Sequence, residues 1–275
     1  MLFGLCDISD TDQIKMKDFD ADKIETFIGK SIFSGNIEIH KSLKSTSNTA
    51  KEMYETGAPH GTVILAEEQS AGRGRMDRIW VSPSGKNILV SILLKPEILI
   101  QKIYTLTLAL ALSVTENVKK MTGLKAMIKW PNDIYLKGKK IGGILTEFGV
   151  KGQDVKYVIL GLGLNVNWYP EKESLFSSTS LKKEYGRELS RNELIAGILL
   201  NYEKLYGNII SEKTGDFLDR INRLSLVTGR DVTINAQGEM IRGKAEGIDV
   251  DGALLIRKPD GKIRKILNGD VSLRV

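Results

Sequence analysis

Leu106, Leu110, Val114, Val118 and Met121 recur at helical spacing between two strand-like runs, KNILVSILLKP and AMIKW, and Gly123 follows where a helix would end. A helix with one apolar stripe needs a surface on which to bury it. Strands on both sides of it in the chain supply that surface, so the spacing predicts a helix lying on a sheet. The neighbouring stretches fit the plan. IEIHKSLKSTSNTAKEMYETG reads as a short strand, a polar turn and a helix ended by Gly57, and GTVILAEEQ as a strand. KNILVSILLKP is a longer strand stopped by Pro96, and AMIKW runs into PND. DIYLKGKKIGGILTEF reads as a hairpin turning at KGKK with Gly138, and KYVILGLGLNVN as a buried strand that leaves through glycines. Ser190 and Glu193 make a capping box ahead of a second amphipathic helix, RNELIAGILLNYEKLYGNI.

The character changes at both ends. After Leu224 the strands shorten and turn pairs (Gln237-Gly238, Asp251-Gly252, Asp260-Gly261) come at close intervals, which predicts a small SH3-like β-barrel over 225–275. The first 22 residues hold six aspartates and little periodicity, so residues 1–35 read as an N-terminal arm ahead of a main unit over 36–224.

Composition removes several function classes. A chain of 275 residues with 41% hydrophobic and 27% charged residues is an ordinary globular protein with a full core. The net charge of +6 is a mild excess, concentrated in one short cluster, so wholesale coating of nucleic acid is not expected. One cysteine, Cys6, excludes an internal disulfide and a multi-cysteine metal site, and His40 and His60 have no second ligand at metal spacing. No apolar run approaches the roughly 18 residues of a membrane span. The N-terminus lacks a basic stretch before its apolar residues. The expectation is a cytoplasmic protein without a membrane partner.

Five polar or glycine-rich stretches fall at strand ends or helix starts: STS at 45–47, QSAGRGRMDRIW at 69–80, KWPND at 129–133, KKIGG at 139–143 and GLGLNVN at 161–167. Each has an ordinary structural explanation, as helix cap, turn or close strand packing. Together they carry chemistry. Gly72 and Gly74 let backbone N–H groups approach an anion, and Arg73 and Arg75 bring forked donors that suit phosphate or carboxylate. Trp80 offers a face for an adenine, while Lys129 and Lys140 are point charges suited to negative charge developing in a transition state. Asn132 and Asp133 can hold Mg²⁺ bridging phosphates. The set describes a site for a nucleotide plus a small carboxylate. The glycines and like charges of the 72–78 loop predict that it is mobile when empty and closes over the bound anion.

GRGRMDRIW, KWPNDIYLKGKKIGGILTE and GLGLNVN resemble, in order, segments of the biotin–protein ligases, and NGDVSLR resembles that family's closing strand. The likeness runs from about Lys44 to the C-terminus. It implies an α+β fold: a mixed β-sheet flanked by helices, akin to class II aminoacyl-tRNA synthetase cores, followed by the small barrel. It also implies roles. Ser45, Thr46, Ser47 and Gln69 match positions beside the ureido ring of biotin, with Ser47 standing where asparagine is common. Gly72, Arg73, Gly74 and Arg75 match the adenylate-binding loop, Lys140 the lysine that reaches the biotin carboxyl or acyl phosphate, and Gly142 and Gly143 its neighbours on the substrate side. Arg78, Trp80, Lys129, Asn132, Asp133 and Asn165 match the ATP side, with Asp133 as the magnesium ligand. Asp77 replaces a glycine found in some members and stands beside Arg78.

The implied function is ATP-dependent activation of biotin as biotinyl-5′-AMP, then transfer to the lysine of a biotin carboxyl carrier domain, with Lys140, Arg73 and Arg75 carrying the catalysis. The substrates and cofactor are biotin, ATP and Mg²⁺. A lipoate–protein ligase is the nearest rival. A biotin-responsive DNA-binding repressor is another, but the aspartates of the short arm would repel DNA phosphates, so no DNA partner is expected. A non-catalytic biotin-binding protein would not need Lys129, Asp133 and both arginines. A homodimer is left open.

Overall fold

The computed structural model describes residues 18–169, 178–213, 215–236 and 238–273, and not the side chains of Asp77 and Leu273. Seven strands form one sheet in the order β1–β2–β3–β7–β6–β5–β4. They are β1 (Ile37–Leu43), β2 (Thr62–Gln69), β3 (Ile88–Leu94), β4 (Ala126–Lys129), β5 (Asp133–Leu136), β6 (Lys139–Lys151) and β7 (Asp154–Leu164). β1 lies parallel to β2 and every other pairing is antiparallel. The long central pair β3 and β7 is aliphatic because it is covered on both faces.

On one face lie α3 (Ile103–Thr122) and α5 (Arg191–Ile210), packed on each other and on the sheet. Gly123 ends α3 at φ 74°, the left-handed conformation that a C′ glycine adopts without a Cβ penalty, and the Ser190 hydroxyl accepts the Glu193 N–H at the start of α5. A short helix, α4 (Leu181–Tyr185), precedes α5. On the other face α2 (Thr46–Glu55) sets Ala50 against Ile64, Leu93 and Ile159. The β5–β6 hairpin turns through Lys137 and Gly138, both at positive φ, as KGKK predicts.

Residues 18–35 do not stand off as an arm. Asp20 caps α1 (Ala21–Ile28), and Phe19, Ile24, Ile28 and Phe33 are buried in the main core, with α1 against α5. The aspartates hide this helix because it buries only Ile24 and Ile28, one turn apart. Residues 1–17, Cys6 among them, lie outside the described residues.

After α6 (Phe217–Leu224), the SH3-like unit is a five-stranded antiparallel sheet in the order β11–β10–β9–β8–β12. Its strands are β8 (Asp231–Ala236), β9 (Glu239–Ile248), β10 (Leu254–Arg257), β11 (Ile263–Ile266) and β12 (Asp270–Leu273). Gly252 and Gly261 turn at φ 79° and 81°, as Asp-Gly pairs predict; Gln237 of the third pair and Arg274 of NGDVSLR lie outside the described residues. The unit docks by its turns. Trp130 Nε1, fully buried, donates to Gly252 O at 3.0 Å, and Leu226 N donates to Ile128 O at 2.8 Å. Among the described residues no helix is long and apolar enough to cross a membrane.

Candidate functional site

A cavity of about 450 Å³ opens where the ends of β2, β5 and β6 meet the face of β7, roofed by the glycine–arginine loop and reached by the start of β12. It is within the size range of small-molecule sites. Glycines make the room. On β7, Gly161 and Gly163 point to the same face, and a Cβ at Gly161 would lie 2.7 Å from Ser47 Oγ. A Cβ at Gly163 would lie 2.5–2.8 Å from the Trp80 indole.

The hydroxyl-rich end is built by the N-terminus of α2. Ser45 is its N-cap, yet its side chain makes no capping bond. Gln69 Oε1 accepts from Thr46 N at 2.7 Å and from Thr46 Oγ1 at 3.2 Å. Ser91, on β3, donates to Thr46 Oγ1 at 2.8 Å and sits 3.0 Å from Ser47 Oγ. This buried chain fixes the rotors of the Thr46 and Ser91 hydroxyls, whose protons are used within it, and leaves oxygen lone pairs as its free polar capacity.

At the other end Trp80 lies against Gly163, with the Lys140 ammonium 5.9 Å from its ring centroid. Trp80 Nε1 is buried with no hydrogen-bond partner among the described residues, an arrangement that a bound acceptor would relieve. Lys140 Nζ pairs with Asp133 Oδ1 at 2.7 Å, both side chains about a quarter exposed or less. Asn165, buried, completes the wall after β7.

The loop itself is closed down. Trp80 N donates to Gly72 O at 2.9 Å and Gly74 N to Arg78 O at 2.7 Å, so 72–80 folds back on itself. Gly72 has no room for a Cβ, which would meet Trp80 O at 2.7 Å. Arg75 reaches across the molecule, donating to Asn132 Oδ1 at 3.0 Å, Asn268 Oδ1 at 2.7 Å and Gly269 O at 3.3 Å. Arg78 pairs with Asp270 at 3.3 Å. Arg73 turns to the rim, onto Asn48 at 2.6 Å and Glu147 at 3.3 Å. The expectation that repulsion among the arginines governs this loop is therefore corrected: each has acceptors supplied by distant parts of the chain. Asp77's pairing with Arg78 lies outside the described residues, since that side chain is not described.

Of the sites expected from the sequence, Ser45, Thr46, Ser47, Gln69, Arg73, Gly74, Arg75, Arg78, Trp80, Asn132, Asp133, Lys140, Gly143 and Asn165 all line this cavity. Gly72, Gly142 and Lys129 stand behind it. Gly142 keeps β6 close to Gly163 O, 3.1 Å from where a Cβ would be. Lys129 is half-buried, and desolvation pulls its ammonium pKa below the ordinary lysine value, partly opposed by the Asp133 charge. Ser91 and Ser178 are support and wall residues outside every quoted stretch, while Gly161, Gly163 and Asp270 are wall residues within GLGLNVN and NGDVSLR to which the sequence assigned no role. For two of them a signal exists in the chain: alternate glycines within an aliphatic strand mark a face something else must occupy.

The latch gives a direct expectation. Removing a charge-assisted bond set worth about 1.5 kcal/mol should raise the open population of the loop about tenfold. Limited proteolysis of an Asn268→Ala, Asp270→Ala double variant should cut within 72–80 faster by that order. Cleavage at the parent's rate would show that the C-terminal turn does not hold the loop.

Comparison with known proteins places these features in a group. Residues 39–165 match the biotin/lipoate A/B protein ligase family, and residues 227–274 match the biotin protein ligase C terminal domain. The chain is 38% identical over 237 residues to the bifunctional ligase/repressor BirA of Bacillus subtilis, spanning 85% of this chain and 73% of that protein. It is 31% identical over 211 residues to a biotin–[acetyl-CoA-carboxylase] ligase of Paracoccus denitrificans, spanning 72% and 85% respectively. A solved biotin protein ligase from Aquifex aeolicus, in complex with biotin and ATP, superposes with a TM-score of 0.74 at 30% identity, over 87% of this chain and 99% of that one.

Proposed function

The chain belongs to the biotin protein ligases, and on that premise we propose that this cavity holds biotin at its hydroxyl-rich end and ATP at its Trp80 end. The protein is an ATP-dependent ligase. In the first step a biotin carboxylate oxygen attacks the α-phosphorus, the bond to the bridging oxygen breaks and pyrophosphate leaves, giving biotinyl-5′-AMP. In the second, the neutral amine of a carrier-domain lysine attacks the acyl carbon, AMP leaves and the amine's proton passes to solvent.

The observation that carries the reading is Lys140, whose ammonium lines the same cavity as Ser45–Ser47 and lies 5.9 Å from the Trp80 ring centroid. The first step brings two anions together, so a fixed cation within the shared cavity lowers its barrier. Once a carboxylate or phosphate competes for the ammonium, Lys140 can exchange Asp133 for the ligand without being left uncompensated. Ser47 supplies one polar atom to the ureido ring where a longer amide would supply two.

Mg²⁺ fits the wall. Asp133 and Asp270 both line the cavity, and one or two carboxylates plus substrate phosphates are a normal magnesium environment. Bound there, the ion would neutralise phosphate charge. Residues 36–224 supply the cavity lining apart from Asp270, and the C-terminal unit over 225–275 latches the roof through Arg75. A lone cysteine suits a cytoplasmic setting.

Pyrophosphate exchange into ATP tests the assignment. Biotin should support it and lipoate should not, and the charged enzyme should label a lysine on a biotin carboxyl carrier domain. Exchange with lipoate alone would overturn the substrate.

A further inference from the structure

Behind the cavity wall is a run of side chains that the mechanism has not used. Asn87, immediately before β3, is completely buried, and so nearly is Asn165. Asn87 Oδ1 accepts two backbone N–H groups, Val166 at 3.0 Å and Trp168 at 3.3 Å. Its Nδ2 faces Asn165 Oδ1 at 3.4 Å, and Asn165 Nδ2 donates to Thr179 O at 3.1 Å.

The direction of this relay is not arbitrary. Backbone N–H groups only donate and a backbone carbonyl only accepts, so both ends of the chain are of fixed polarity. Val166 and Trp168 require an oxygen of Asn87, which turns its NH₂ toward Asn165. That NH₂ requires an oxygen of Asn165, which turns the second NH₂ toward Thr179 O. One hydrogen of it is used there, and the other is left for the cavity that Asn165 lines.

Asn87 is itself held from behind. Arg191 Nη1 donates to Asn87 O at 3.0 Å and pairs with Glu67 Oε2 at 2.7 Å, with both charges buried. Glu67 Oε1 accepts the Phe19 N–H at 2.6 Å, and the guanidinium lies 4.1 Å from the Phe19 ring centroid. The segment leading into α1 therefore seals the ion pair that braces the relay.

We infer that Asn87 is a positioning residue that fixes the amide of Asn165, so that Asn165 offers the nucleotide a hydrogen-bond donor and selects an acceptor atom there, a phosphate or ribose oxygen or a ring nitrogen. The inference rests on the reading of this wall as the nucleotide side. Asn87→Asp keeps the acceptor for Val166 and Trp168 but cannot donate to Asn165. The Asn165 amide then sets an oxygen against an oxygen in either orientation, toward the new carboxylate or toward Thr179 O, so its donor to the ligand is no longer fixed.

The test is steady-state adenylation with ATP and biotin varied separately, for the parent, Asn165→Ala, Asn87→Asp and the double variant, each with a thermal melt. Losing one oriented hydrogen bond predicts a KM for ATP about tenfold higher in each single variant. The KM for biotin should stay within about twofold, and the double variant should be no worse than Asn165→Ala. If Asn87→Asp fails to fold, Asn87→Ser, too short to reach Asn165, should show the same pattern. A parent-like KM for ATP in the Asn87 variants beside a raised one in Asn165→Ala would overturn the relay. Multiplying effects in the double variant, or both KM values rising together with a lowered melting temperature, would do so too. A parent-like KM for ATP in Asn165→Ala would instead remove the nucleotide reading of the wall, and the inference with it.

Discussion

Lys140→Ala should slow biotinyl-adenylate formation by roughly 10²–10³-fold, the cost of losing one preorganised donor to developing charge. Two effects combine in that loss. The ammonium disappears from the cavity wall near Trp80, and Asp133, bonded to it at 2.7 Å, loses the partner that holds its carboxylate in place. The measurement is single-turnover adenylate formation at saturating biotin and ATP, where binding losses no longer enter. A Lys140→Ala rate within about threefold of the parent, a difference below ~1 kcal/mol, would leave the lysine a structural partner of Asp133 and nothing more.

Gly163→Ala should have the second large effect, although the glycine carries no chemistry. The added Cβ would stand 2.5 Å from one atom of the Trp80 indole and 2.8 Å from two others, closer than real carbon contacts. β7 is bonded to β3 and β6 on its two sides, so the strand cannot yield and the indole must. Overpacking of this kind costs about 1–3 kcal/mol, which at a binding surface becomes a roughly 10- to 100-fold higher KM for ATP. Nucleotide titration monitored by tryptophan fluorescence reads the change, with a thermal melt to exclude unfolding. In a Trp80→Ala background the same substitution should add little. An unchanged KM for ATP in Gly163→Ala would show that the indole is not a nucleotide surface.

Much of the fold was legible because it rests on local rules. The apolar stripe of α3, its Gly123 terminus, the Ser190 box of α5 and the Lys137–Gly138 turn all follow from contacts a few residues apart. The short helix before residue 30 was not legible because its apolar residues Ile24, Phe27 and Ile28 span little more than one turn, too short a stretch to make a period. The loops around the cavity were legible as chemistry because glycines beside arginines, and lysines at strand ends, are residue types with few other common purposes together.

By itself, then, the chain determined the long helices and the main strands, where they stop and which loops carry charge and room, since those depend on neighbours in sequence. Only the tertiary structure decided what the charges do. Arg75 is spent on Asn132, Asn268 and Gly269, and Lys140 on Asp133. Trp80 lies on Gly163, and Asn87 stands behind Asn165. Most of these pairs join residues dozens of positions or more apart. No local pattern encodes such a contact, because it exists only once β3, β7 and β6 are paired and the C-terminal sheet has docked, and the polarity of each partner then fixes which way the side chain turns.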